Sequence, residues 1–226
     1  MREALLASGY RVTTFEHRPQ HSDWRSVVAC VDAFIARRAE PVALVGWSQG
    51  AAIAQEAALA AGERVQCAAL LATYGRQNEM DRILQRSWDR FSLGGADLDS
   101  LRLALGLLTA FPPDRLADDE FVLFMGSIQP EWAGMPDAET RRRSADFIAT
   151  YQERLQSLAG LDSPCLVMGY ELDTDTFAAR AQEVADALPN ATYLELPGLG
   201  HAAPISDPDR VWPPVVAFLA EHHPVR

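Results

Sequence analysis

Short apolar runs alternate with amphipathic stretches along most of this chain, and the period of each run tells which element it forms. Tyr10–Phe15 (YRVTTF) is rich in β-branched and aromatic residues and follows Gly9, so it reads as a strand entered from a helix end. From about Asp23 to Arg38, Val27, Val28, Val31, Phe34 and Ile35 recur on one helical face. Val42–Gly46 is apolar throughout, the pattern of a parallel strand covered on both sides. Ala51–Ala61 reads as an alanine-rich helix stopped by Gly62, and Val65–Thr73 as the next strand.

From about Gly75 to Gly160 the strand rhythm disappears. Helical patterns follow one another there, broken at Gly94-Gly95, at Pro112-Pro113 and from Pro130 to Pro136. The rhythm then resumes with Cys165–Tyr170 as a strand, Phe177–Leu188 as a helix, Thr192–Leu196 as a strand and a last helix ending near Glu221. Pro213 and Pro214 deny that helix interior hydrogen bonds, so its regular part is expected to begin close to them. Such repetition calls for an α/β fold: a mostly parallel sheet with helices on both faces. Residues 1–75 and 161–226 are expected to form that core, with 76–160 a mostly helical insertion that the family resemblance given below makes a cap.

Composition narrows the partners. The formal charge is −11 over 226 residues, and the basic residues cluster only at Arg141, Arg142 and Arg143, which argues against nucleic acid. The longest apolar runs, PVALVG at 41–46 and CAALLAT at 67–73, fall far short of a bilayer's width, and MREALLASGYRV does not read as a secretion signal. A cytoplasmic protein without a membrane span is the expectation. Cys30, Cys67 and Cys165 lie far apart among apolar neighbours, with neither disulfide nor metal-ligand spacing, and read as small core hydrophobes. No metal or cofactor is implied.

The sharpest chemical signal is Gly46-Trp47-Ser48-Gln49-Gly50, between an apolar strand and an alanine-rich helix. A serine on so abrupt a strand-to-helix turn adopts a strained backbone, and small residues two before and two after it let strand and helix pass. Its hydroxyl then stands at a helix N-terminus, where backbone N–H groups, that of Gln49 first, favour an oxyanion. A serine hydroxyl needs a base. Of five histidines, His201 follows the last strand in LPGLGHAAP, a loop able to turn back toward Ser48. His222 and His223 lie in the tail, and Pro19 between His17 and His21 argues against a helical metal pair. The base in turn needs a carboxylate. Asp173 is the first choice after the strand PCLVMGY, with Asp175 and Glu171 as alternatives, since one residue of register decides which points inward. Helix capping is the blander reading of Asp175.

These residues, in the order Ser48, Asp173, His201, resemble the α/β-hydrolase superfamily, with GWSQG as its nucleophile elbow and LPGLGHAAP as its histidine loop. Phe15-Glu16-His17-Arg18-Pro19-Gln20-His21-Ser22 is similar to the D-x-R-G-x-G-x-S loop of that superfamily, with Glu16 for the aspartate and Pro19 and His21 for its glycines. Asp173 stands four residues after Gly169, where the family commonly has three. The resemblance covers essentially the whole chain. It also implies further strands ahead of Ser8-Gly9, including one ending in His-Gly whose loop gives a second oxyanion N–H and which sits between the strands read at 10–15 and 42–46. The sequence therefore predicts an N-terminally shortened sheet: those two strands pair directly, another chain fills the gap, or upstream residues do.

The resemblance implies a serine hydrolase acting through an acyl-enzyme on a small to medium, largely apolar ester, thioester, lactone or β-diketone. Trp47, Tyr74, Phe124 and Trp132 are candidates for the pocket wall, and Arg76 for an anionic group, although an arginine at a strand end is more often ion-paired. The alternative is a non-hydrolytic relative: a small-molecule binding protein, or a lyase or cyclase. A first strand left exposed makes a homodimer by edge pairing a further expectation.

Overall fold

Among the described residues four strands make one fully parallel sheet, and in the computed structural model they lie side by side in chain order: β1 (Val42–Trp47), β2 (Val65–Leu71), β3 (Cys165–Tyr170) and β4 (Ala191–Leu196). The structure describes residues 2–15, 23–93, 99–132 and 150–225. Val42 pairs with Val65, Ala68 with Cys165 and Cys165 with Ala191, so each strand continues the register of the one before it. The strands read as unbroken apolar runs because both faces are covered. On one face Val65, Ala68, Leu70, Cys165 and Val167 pack against α2 (Trp24–Ile35), α3 (Gln49–Ala61) and the helix that precedes β4. On the other, Cys67, Ala69, Leu71, Leu166, Met168 and Tyr170 meet Leu5 of α1 (Arg2–Ala7) and the stripe Val211, Trp212, Val215 and Leu219 of the last helix.

Helix α2 starts where Asp23 accepts the Ser26 N–H at 2.9 Å while the Ser26 side chain reaches back to the Asp23 N–H, closing a capping box. Cys30 falls on the solvent side of that helix, because the buried stripe runs through Val27, Val28, Val31 and Ile35; the expectation of a core cysteine holds for Cys67 and Cys165 only.

Between β2 and β3 the described residues are mostly helical: α4 (Glu79–Leu93), α5 (Asp99–Ala110), α6 (Pro113–Leu116), α7 (Asp119–Trp132) and a single turn, α8 (Leu155–Leu158). Pro112-Pro113 separates α5 from α6 as expected, and the expected Gly94-Gly95 break lies outside the described residues. Helix α7 runs on through Pro130, because a proline so near a helix end removes only one internal bond. The chain resumes through α9 (Ala178–Ala187), β4, the short α10 (Ala203–Ser206) and α11 (Pro208–His222).

Two further expectations are corrected. Residues 10–15 form no strand: β1 hydrogen-bonds only β2, and 10–15 have no ladder partner among the described residues. Their β-forming composition cannot act without a neighbouring strand. Tyr10 and Val12 pack instead on the apolar face beside α11, and Phe15 sets its ring edge-on to Phe34 at 4.9 Å. Helix α11 begins at Pro208 and carries Pro213 and Pro214 inside it. Burying Val211 and Trp212 in line with Val215 and Leu219 outweighs the two missing N–H bonds.

Candidate active site

The turn from β1 into α3 puts Ser48 at φ 55°, ψ −125°, a conformation that L-residues rarely adopt. The turn is fixed from both sides. The Ser48 N–H donates to the Leu71 carbonyl at 2.8 Å, and the Ser48 carbonyl accepts from Ala51 and Ala52. A Cβ at Gly46 would lie 2.2 Å from the Gly50 carbonyl oxygen, so strand and helix pass only because position 46 has no side chain. Gly50 differs: a Cβ there would meet open space, and what Gly46 abuts is the Gly50 backbone. Gln49 and Gly50 occupy the first helical positions, whose N–H groups have no acceptor within a helix.

Ser48 Oγ lies 2.9 Å from His201 Nε2, and His201 Nδ1 lies 2.8 Å from Asp173 Oδ2. Asp173 is only 3% exposed. Its second oxygen accepts the N–H groups of Asp175 and Thr176 at 2.9 and 2.8 Å, which fixes the carboxylate's orientation. Burial alone pushes the His201 imidazole down. Asp173 and then Asp175 outweigh it and hold the ring up at about 9. Of the two ring nitrogens, Nδ1 faces Asp173 and Nε2 faces the serine.

The two alternatives to Asp173 have places of their own. Glu171 accepts the Gly198 N–H at 2.7 Å and so ties down the start of the histidine loop. Asp175 caps no helix, since α9 is preceded by Phe177 without a side-chain cap. Its carboxylate lies 3.4 Å from His201 Nε2. Burial raises its pKa, opposed by His201 and reinforced by Asp173.

Trp47 donates its indole N–H to the His201 carbonyl at 3.0 Å, with the two rings 5.5 Å apart. It belongs to a small apolar cluster with Ala110, Phe111, Phe121, Met125 and Ala202 that joins the helices between β2 and β3 to the histidine loop. The Ala202 N–H donates to the Ala110 carbonyl at 2.8 Å, and a Cβ at Gly200 would press on that same oxygen at 2.9 Å and on Pro112. Thr174 reaches the Leu108 carbonyl at 3.2 Å. Nothing in the sequence pattern marked this junction except the glycine of LGHA.

Tyr74 is half-buried, and burial followed by Asp175 and Asp81 raises its phenol. Phe124, by contrast, is 59% exposed on α7. The Trp132 side chain lies outside the described residues. Arg76 is taken by Glu183 in a two-pronged pair at 2.6 and 2.9 Å, the ion-paired reading of that residue. His223 contacts Gln66 and stacks on Tyr10, far along the fold from this site, and His17 and His21 lie outside the described residues. Among the described residues no group of three or more His, Cys, Asp or Glu is arranged to hold a metal, and no helix is long and apolar enough to cross a membrane.

A second buried polar cluster escaped the sequence reading. Gln55 donates to the Tyr74 carbonyl at 2.9 Å and to the Tyr151 hydroxyl at 2.6 Å, and accepts from Thr73 at 2.8 Å. Glu56 accepts from Tyr151 at 2.9 Å and from two Arg154 nitrogens at 2.8 Å. Gln55 and Glu56 sit in an otherwise apolar run, AAIAQEAALA, and such a polar pair in a helix hydrophobic all round is the signal that could have found them.

A Mycobacterium tuberculosis protein, provisionally named non-heme bromoperoxidase BpoC, is 32% identical over 229 residues, covering 96% of this chain and 86% of its own. Its crystal structure superposes with a TM-score of 0.86 at 31% identity, over 97% of this chain and 84% of that one. The enol-lactonase of Burkholderia xenovorans LB400 shares the fold at a TM-score of 0.69, with 19% identity and 94% and 78% coverage. Residues 3–213 match the alpha/beta hydrolase family as a whole, and the chain belongs to that family.

Proposed function

We propose that the protein is a serine hydrolase that works through an acyl-enzyme, and the observation that carries this reading is the unbroken line Ser48–His201–Asp173, at 2.9 and 2.8 Å, on a strained elbow. His201 Nε2 takes the proton of Ser48 as the oxygen attacks a carbonyl carbon, and Asp173 holds the ring in the required tautomer. The Gln49 N–H, at the positive end of α3, donates to the oxyanion that forms. The proton on Nε2 then passes to the leaving group, and water repeats the sequence on the acyl-serine.

Segment 76–160 serves as a cap in this reading. The apolar contacts of Trp47, Phe111, Phe121 and Met125 beside the histidine loop favour a small to medium, largely apolar ester, thioester or lactone. A fluorophosphonate should label Ser48, and hydrolysis of p-nitrophenyl butyrate should disappear with the labelling in Ser48→Ala. A folded protein that neither reacts with the probe nor hydrolyses the ester overturns the reading.

The name of the M. tuberculosis relative favours a second reading on the same nucleophile. In it, hydrogen peroxide replaces water as the acceptor of an acetyl group on Ser48, and the peracetic acid released oxidises bromide to hypobromous acid, returning acetate. Bromination of monochlorodimedone that requires acetate, peroxide, bromide and Ser48 together would favour it over plain hydrolysis.

A further inference from the structure

An imidazole that accepts a serine proton needs one carboxylate, on the nitrogen away from the serine. His201 has that one, Asp173, and a second on its other nitrogen: Asp175 Oδ2 stands 3.4 Å from Nε2, at ion-pair distance. Three observations place Asp175 there by construction. Its own N–H donates to Asp173 Oδ1, so the two carboxylates share one tight turn. It caps no helix and, among the described residues, has no arginine among its ion pairs, unlike Asp81 of α4, which pairs with Arg180 at 3.3 Å. And its side chain is 34% exposed against 1% for Asp173, so it borders the open side of the site where Ser48 and a substrate meet.

We propose that Asp175 is a second carboxylate of the reacting centre, one that faces the proton-accepting nitrogen of His201 and holds the imidazolium between two acids. The proposal rests on the serine-hydrolase reading for its consequence in catalysis, although its effect on the imidazole does not. When Ser48 gives up its proton, the O–H bond breaks, an N–H bond forms at Nε2, and the new positive charge lies between Asp173 and Asp175. Asp175 gains and loses no atom. It stabilises the ion-pair stage of acylation, and it also makes the ring slower to give the proton up.

In the resting enzyme the same attraction has a cost. A neutral ring is required to accept the Ser48 proton, so every stabilisation of the imidazolium moves the onset of activity to higher pH. Among the described residues, the groups facing His201 are Asp173 and Asp175 from the loop after β3, and uncharged Ser48 and Trp47 from the β1–α3 turn. Those facing Asp175 are His201, Asp173, the Tyr74 hydroxyl and Asp81 of α4, the last neutralised in part by Arg180. The one cation beside Asp175 in that set is therefore the imidazolium itself.

The test uses the full chain with 15N-labelled histidine, comparing the native sequence with Asp175→Asn and Asp175→Glu. The ring nitrogens of His201 are titrated by NMR, and the rate of Ser48 labelling by a fluorophosphonate is followed over the same pH range. The native midpoint is expected near 9. In Asp175→Asn it should fall by about one pH unit or more, as loss of an opposite charge at this distance requires. The rising limb of the labelling rate should move down with it, and Asp175→Glu should restore both. A loop held only by the Asp175 backbone would leave the midpoint unmoved, since asparagine keeps the N–H to Asp173; that result overturns the proposal. If the midpoint moves but no variant reacts with the probe, the assignment to the imidazole stands and the hydrolase reading falls. If labelling is brisk and its pH limb is the same in all three, Asp175 has no such part and the hydrolase reading stands.

Discussion

Helix α3 touches two sets of buried polar groups, one at its first turn and one about two turns further on. At the far set each named group has a fixed partner. Both ends of the Gln55 amide are used, and Glu56 meets Arg154 through two bonds, with side-chain exposures of 3% and 23%. The Tyr151 hydroxyl accepts from one neighbour and donates to the next. Burial and then Glu56 drive its pKa well up, while the bond to Glu56 raises that of Arg154. At the near set Asp173 is as fully used, but His201 Nε2 is not: Ser48 at 2.9 Å and Asp175 at 3.4 Å both address it. A closed network fixes the fold and can transfer nothing. A network with one contested nitrogen can pass a proton, and what distinguishes the two is the openness of a single position.

Mutations that separate activity from stability break this comparison most directly. Ser48→Ala should remove about 10⁵–10⁶-fold of kcat for an ester substrate while leaving the thermal midpoint within a degree or two, read by steady-state kinetics and calorimetry. Asp173→Asn should cost about 10⁴-fold in kcat, because the ring then loses its tautomer partner, and it too should leave a folded protein. At the far set the signs reverse. Glu56→Ala removes the buried acceptor that Arg154 and Tyr151 share and should destabilise by about 2–3 kcal/mol in urea unfolding, with kcat of the folded fraction nearly unchanged. Tyr151→Phe removes one hydroxyl and leaves Gln55 and Glu56 each one bond short, for a loss of about 1–2 kcal/mol. A large drop in kcat for Tyr151→Phe would show that the two sets are coupled through α3.

The near set was legible in the sequence because each of its members lies at the end of an apolar run. Ser48 follows VALVG, Asp173 follows CLVMGY and His201 follows YLEL by a glycine-rich loop, and parallel strands gather their C-terminal ends on one edge. The choice among Glu171, Asp173 and Asp175 was not legible, since it depends on a turn in which Asp173 accepts the N–H of its own second neighbour. The far set was not legible either. Its partners lie 95 and 98 positions apart, and a tyrosine or arginine within a helical insertion has the same local pattern whether solvated or buried. Aromatic content likewise carries no direction, which is why Tyr74 borders Asp175 electrostatically while Phe124 faces solvent. The strand expected at 10–15 failed for a reason of the same kind: a strand is a property of two segments, and composition describes one.

The fit of Gly200 against Ala110 and Pro112, with the Ala202 N–H bonded to the same Ala110 carbonyl, makes the junction of α5 and α6 part of the bed on which the histidine rests. Displacing residues 110–112 would pull on Gly200 and Ala202 and so on the imidazole between them. In the reaction proposed above, residues 110–112 would therefore have to keep their place while the imidazole works, whatever else moves.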